Sequence, residues 1–121
     1  MESKDRTRLE ILNAQKRICE SYGATFVPAC DWVNSGLAVS TEGMLPINGL
    51  RHPVTEDTTG WYIWCGENYS DEQSFFKPVH TVHIYEKYQQ IAMLLGLPPG
   101  YRFLVAGEHL DVWFDPNLLK V

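Results

Sequence analysis

Apolar residues recur along this chain with two periods, one helical and one alternating. Between residues 5 and 22, Ile11, Leu12, Ile18, Cys19 and Tyr22 fall at helical spacing, with Arg6, Lys16, Arg17 and Glu20 on the other face. Thr7 and Glu10 have the arrangement of a capping box within the first turn, and Gly23 stands where a helix stops. This pattern predicts an amphipathic helix packed on a sheet. Residues 24–30 (ATFVPAC) are apolar, but Pro28 lacks a ladder donor, which predicts an edge or broken strand. Residues 31–36 read as a turn, and 37–40 and 44–47 as short strands. Residues 48–59, with Gly49, Pro53 and a polar run, read as a long loop of the kind that often carries function.

Residues 60–67 (GWYIWCGE) give the strongest strand signal. Trp61, Ile63 and Cys65 point to one face, Tyr62 and Trp64 to the other, and both sets are apolar. A strand apolar on both faces is expected in the middle of a sheet covered on both sides. Residues 68–73 form a polar, acidic turn, after which Phe75, Phe76 and Val79 return to the core. Ile84, Tyr85, Tyr88, Ile91, Ala92 and Leu95 make one stripe of a second helix over 81–95, ended by Gly96 and Pro98-Pro99. Residues 102–106 and 110–114 read as a hairpin over Gly107-Glu108-His109, followed by a tail that docks Leu118 and Leu119. The order helix, strands, helix, hairpin predicts one α+β domain over residues 1–121 with a mixed or mainly antiparallel sheet, since the regular βα alternation of a doubly wound sheet is missing.

Composition narrows the picture. Lys and Arg number 10 against 15 Asp and Glu, a net charge of −5. A sequence-independent nucleic-acid binder needs a basic face, so that class is excluded, and the balance suits a basic partner or simple solubility. The three cysteines, Cys19, Cys30 and Cys65, are odd in number and scattered, which argues against a disulfide framework and for a reducing compartment. The first residues hold no apolar h-region, and no apolar run approaches the ~18 residues that span a bilayer. The expected location is the cytosol.

Candidate chemistry is sparse. His80 and His83 lie three apart, and on a helix they share a face with Glu86 one turn on, but a metal site needs a third or fourth ligand and none stands nearby in sequence. Cys65 pairs arithmetically with His52 or His80, yet it sits mid-strand, where a buried thiol is inert. Glu56-Asp57 and Glu67, Asp71 and Glu72 lie in polar turns, where a solvated face competes with an acidic docking surface. No phosphate-cradling glycine loop is present; residues 97–100 (LPPG) form a rigid turn. Trp61, Trp64 and Trp113 lie in strands and are assigned to the core. Trp32 follows the proline-broken strand and is the candidate exposed anchor, since an exposed Trp beside acids has the composition of an interface hot spot.

The stretch from Asp57 through residues 60–67, then Asp71, the helix end at 94–100 (LLGLPPG) and Arg102-Phe103 resembles the bacterial immunity protein 33 domain family, with a weaker echo at 30–33 (CDWV) and 49–52 (GLRH). The resemblance spans about residues 27–105, with the N-terminal helix and a closing strand at 111–115 as departures that suggest a subfamily. It implies an antidote in a polymorphic toxin system: a non-catalytic cytosolic protein that neutralises a cognate toxin by binding it, with no cofactor. On that reading the contact residues are those flanking the central strand, Arg51, His52, Asp57, Glu67, Asp71 and Glu72, with Trp32 as the aromatic anchor. Two other readings stand beside it: a small ligand-binding or regulatory module with a pocket bordered by Trp61, Trp64 and the long loop, and an enzyme using His80, His83 and nearby acids. Which toxin is bound, and the oligomeric state, are left open by the sequence.

Overall fold

A computed structural model describes residues 4–120, with side chains from Arg8 to Lys120; the Thr7 side chain of the capping box lies outside the described residues. The strands are β1 (Asn34–Leu37), β2 (Ile47–Arg51), β3 (Thr58–Cys65), β4 (Lys77–His80), β5 (Tyr101–Ala106) and β6 (His109–Phe114), and the helices are α1 (Lys4–Ser21), α2 (Thr81–Lys87) and α3 (Gln89–Ala92). The strands form one sheet in the order β4-β1-β3-β2-β5-β6. β1 and β3 run parallel and every other neighbouring pair is antiparallel, so the fold is α+β with a mixed sheet.

β3 sits inside the sheet, and its alternation divides the core. Trp61, Ile63 and Cys65 pack with Ile47, Phe103 and Val105 under the helices, which contribute Cys19, Ile84, Tyr85 and Ile91. Trp64 faces the other way and packs with Ala38, Leu50 and Leu118, flanked by half-buried Tyr62, Phe75 and Phe76. Burying each large side chain in such a layer is worth about 1.5–3 kcal/mol. The helices therefore cover one face only. The second face is partly covered by the 66–76 connection and by a 3₁₀ turn, Pro116–Leu119.

A buried arginine joins the irregular parts of the chain to this sheet. Arg51 has no exposed surface. Its Nε donates to Thr59 O (2.8 Å), Nη1 to Val27 O and Leu97 O (2.8 Å each) and Nη2 to Pro28 O (3.1 Å). Its guanidinium also lies 5.5 Å from the Trp61 ring centre. Arg51 takes part in none of the ion pairs among the described residues, so carbonyl dipoles and a ring face carry its charge. Burial lowers its pKa to about 10, still high enough to keep it a cation near neutral pH.

A chain of hydroxyls ties β1, β3 and α2 together. Thr81 Oγ1 donates to Val33 O (2.7 Å), which fixes the order of the rest: Ser35 Oγ donates to Thr81 Oγ1 (2.7 Å), Thr59 Oγ1 to Ser35 Oγ (2.5 Å), and Trp61 N–H to Thr59 Oγ1 (3.2 Å). All three hydroxyl residues are buried, and each group is satisfied by the next. The β1–β3 register slips beside this chain, between Asn34↔Thr58 and Gly36↔Tyr62. Gly60 lies in the irregular stretch at φ 91°, and a Cβ there would stand 1.9 Å from His52 O, so only glycine fits.

Several expectations are corrected. Residues 24–30 form no strand: Val27 N–H bonds Gly96 O (2.9 Å), while the carbonyls of Val27 and Pro28 go to Arg51 instead of a ladder. β1 lies at Asn34–Leu37, three residues before the expected strand, and Val39–Thr41 is a 3₁₀ turn. On the helix side β1 presents Ser35, satisfied in the hydroxyl chain, and Leu37; Gly36 faces the other way, where its missing Cβ admits the Tyr62 ring. Residues 48–51 and 58–59, read as loop, belong to β2 and β3. Gly49 is there because the Phe103 ring occupies the place of a side chain. The helix over 81–95 breaks at Tyr88 (φ −121°, ψ 65°), yet all six residues of its stripe are buried. Tyr88 Oη donates to Glu42 Oε2 (3.1 Å), and Lys87 pairs with the same carboxylate, which anchors the break. Trp113 is 42 % exposed because β6 is an edge strand; Leu118 is buried and Leu119 is not. In α1, Gln15 is buried where an apolar residue is the norm, donating to Ala92 O (2.9 Å), while Tyr22 is exposed.

Arg51→Met leaves at least four carbonyls without their donor, and urea unfolding should show a loss of about 3–5 kcal/mol. Arg51→Lys should recover little of it, since one ammonium cannot span the same acceptors. Burial also raises the pKa of Cys19, Cys65, Tyr85 and Tyr88, so on raising the pH the unfolded chain ionises first. The stability from these groups is complete below the ordinary thiol range and falls as pH rises through it. The depressed Arg51 pKa acts in the opposite sense, but only once pH passes about 10. The urea midpoint should therefore drop between about pH 8 and pH 10.

Candidate functional site

The face of the sheet without helices carries a cleft assembled by the two connections that flank β3. Tyr62 projects from β3 into its middle. The Tyr62 ring meets Phe76 edge-on at 5.2 Å and His52 at 5.5 Å, while Tyr69 meets Trp64 at 5.1 Å. Such edge-to-face pairs hold rings at fixed angles. Two adjoining hollows of ≈ 490 and ≈ 390 Å³ share Thr58, Tyr62, Tyr69 and Phe76 as walls. Asp57, Ser70, Asp71, Glu72 and Lys77 rim the first; His52, Pro53 and Thr55 rim the second.

Local turn chemistry positions the rim. Thr55 Oγ1 accepts from Asp57 N–H (3.1 Å), and Ser70 Oγ accepts from Glu72 N–H (3.1 Å), so a hydroxyl two residues earlier shapes each acidic turn. His52 Nδ1 donates to Leu118 O (2.9 Å), because a carbonyl can only accept; this anchors the ring to the C-terminal 3₁₀ turn. Asp57, Asp71 and Glu72 are exposed, and Tyr69, 54 % exposed, is the most accessible ring of the cleft.

Four of the seven residues expected at a contact surface are thus gathered on one cleft: His52, Asp57, Asp71 and Glu72. Glu67 is exposed in the turn leaving β3 but lines neither hollow. Trp32 is 72 % exposed and borders a separate groove of ≈ 610 Å³ on the helix side, with Arg8, Asp31, His83, Tyr85 and Glu86. The expectation for Arg51 is overturned: a side chain with no exposed surface, its donors engaged by carbonyls, presents nothing to a partner. Sequence reasoning passed over Tyr62, Tyr69 and Phe76. The signal for Tyr69 was legible, since a large ring inside the polar turn 68–73 has no local apolar partner.

The pocket expected beside Trp61 and Trp64 is also corrected. Trp61 is fully buried with Nε1 donating to Leu95 O (2.9 Å), Trp64 is 6 % exposed, and neither lines either hollow of the cleft. His80 and His83 stand at the start of α2 with rings stacked at 6.1 Å; Trp32 packs edge-on to His80, and His83 pairs with Glu86 at 3.6 Å. Among the described residues no group of three or more His, Cys, Asp or Glu is arranged to hold a metal. Cys65 faces the helix-side core whereas His52 lies in the opposite cleft, so the sheet separates that pair.

A mixed sheet with helices on one face and an acid-rimmed aromatic cleft on the other defines a small α+β domain that presents a shaped surface. The chain belongs to the Imm33-like domain family, whose model matches residues 14–115. The match takes in the closing strand at 111–115 and the C-terminal half of α1, so those segments, read as departures, lie within the family pattern. No curated protein matches the chain. No solved structure matches it. No helix among the described residues is long and apolar enough to cross a membrane.

Cys30 is the exposed thiol of the three, while Cys19 and Cys65 are buried and burial pushes both thiols up. Iodoacetamide on the native protein, read by intact mass, should add one label, on Cys30. Labelling in urea should add three.

Proposed function

We propose that this chain is a bacterial immunity protein that binds and neutralises a cognate toxin of a polymorphic toxin system in the producing cell's cytosol, without catalysis, and that the open-face cleft is its contact surface. The observation that carries the reading is the cleft itself in a chain of the Imm33-like family: fixed, partly exposed rings inside a rim of Asp57, Asp71 and Glu72. This arrangement suits a basic protein surface. Carboxylates at a rim speed encounter with an oppositely charged partner, and a net charge of −5 adds to that field. Rings at the centre supply the desolvated contact on which affinity depends. Tyr69 is the anchor in this reading, and Trp32, on the other side of the sheet, is not part of the contact.

The reading predicts a toxin gene beside the one for this chain, and it is tested by co-expressing the two. The wild-type chain should restore growth. Asp71→Lys with Glu72→Lys should weaken toxin binding at least tenfold, mainly through slower association, and should reduce the dependence of the association rate on salt. Tyr69→Ala should speed dissociation, while Trp32→Ala leaves both rates unchanged. Failure of the wild-type chain to protect cells, or full protection by the double charge reversal, refutes the proposal.

A further inference from the structure

The two edges of the sheet are built differently. At one edge, β4 is four residues long, carries Pro78 and exposes Lys77. Proline and lysine are the residues that keep an edge strand from pairing with another chain. At the other edge, β6 (HLDVWF) is six residues long, has neither Pro nor Lys, and pairs with β5 in unbroken register. It exposes Leu110 (40 %), Trp113 (42 %) and Phe114 (49 %). None of the devices that protect β4 is present on β6.

The register fixes what this edge offers. The two-residue turn Gly107–Glu108 makes Ala106↔His109 a hydrogen-bonded pair, and such pairs alternate along an antiparallel ladder. Leu104↔Asp111 and Arg102↔Trp113 follow, and Asp115 N–H donating to Gly100 O (2.7 Å) continues the series. The backbone N–H and C=O groups of Leu110, Val112 and Phe114 therefore point away from β5, out from the edge.

We propose that β6 is the pairing edge for a second copy of this chain, forming a two-fold antiparallel seam centred on Val112. A strand paired with itself about an axis perpendicular to the sheet is centred on a single residue. Centred on Val112, the seam opposes Val112 to its own mate and Leu110 to Phe114, apolar to apolar, on the helix side. On the other side it opposes Asp111 to Trp113 and His109 to Asp115, with no like charges facing. Centred one residue earlier, it opposes Asp111 to Asp111, which is repulsive. The residues that face one another in the Val112 register are also those whose backbone groups point outward, so ladder and side chains select the same alignment. The two sheets then join into one across the seam. The open-face cleft is formed around β1, β3 and the 66–76 connection, so it remains free in each copy.

The test is sedimentation of the full chain over a concentration series, with a disulfide probe of the register. The mass should rise from 13.9 kDa towards twice that value. Leu110→Lys, with its circular dichroism unchanged, should hold it at the single-chain value. In a Cys30→Ser background, Val112→Cys should cross-link to a dimer under mild oxidation, because facing residues of a hydrogen-bonded pair have Cα atoms about 5.5 Å apart, within disulfide reach. Asp111→Cys, two residues out of register with its mate, should not. A single-chain mass throughout, or equal cross-linking of both variants, overturns the proposal. So does protection of β6 amides that appears only on adding a foreign protein, which assigns the edge to that protein's strand.

Discussion

The burial of one positive charge without a carboxylate partner is the constraint around which this fold is arranged. Removing a guanidinium from water is costly unless its donors are all satisfied. Here they reach carbonyls from three places: Val27 and Pro28 in the irregular 24–30 segment, Leu97 beyond α3, and Thr59 in the irregular part of β3. None of the first three belongs to a strand or helix, so each needs a donor that regular structure does not supply. The planar fork of Arg51 serves them together, where an ammonium would act as a single point. Its own carbonyl accepts from Gly100 N–H, which places the start of β5.

The cleft depends on the consequence of that arrangement for the chain that follows. Because Arg51 is drawn into the helix-side core, residues 52–57 leave the sheet at a fixed point and return to β3 with Asp57 at the rim of the cleft. Gly60, under the His52 carbonyl, permits the tight approach of the two strands there. The hydroxyl chain from Trp61 N–H to Val33 O then sets β1 beside β3 and starts α2. With all helices on one face, the rings on the other have only connections and a 3₁₀ turn to cover them, and Tyr69 is left at the surface.

Rigidity and charge are divided between two parts of the site. The rings of Tyr62, Phe76 and Trp64 stand on or against the sheet and are held by one another. The carboxylates sit on turns shaped by single hydroxyls, Thr55 and Ser70. A preformed apolar centre with an adaptable charged rim is the division that protein-binding surfaces use, since burial at the centre gives residence time and charge at the rim gives encounter rate. The proposed contact surface rests on this cleft together with the family match.

The class of fold, the interior strand with Trp61 and Ile63 on one face and Trp64 on the other, the apolar stripe from Ile84 to Leu95, and the hairpin are all legible in the order of residues, because each rests on a local period that burial enforces. That order also placed His52, Asp57, Asp71 and Glu72 beside that strand, and the fold brought them to one cleft. The rest depends on contacts between segments distant in the chain. Gly36 and Gly49 lie in strands because rings from Tyr62 and Phe103 fill the space above them, and a missing side chain leaves no mark in a hydropathy pattern. The helical stripe breaks at Tyr88, without a proline or glycine, because Glu42, distant in sequence, holds that turn from outside. Arg51 reads as a surface charge until the carbonyls that surround it are assembled, and those come from segments as far apart as residues 27 and 97. Periodicity reports which side of an element is buried; only the fold reports which polar groups find partners there.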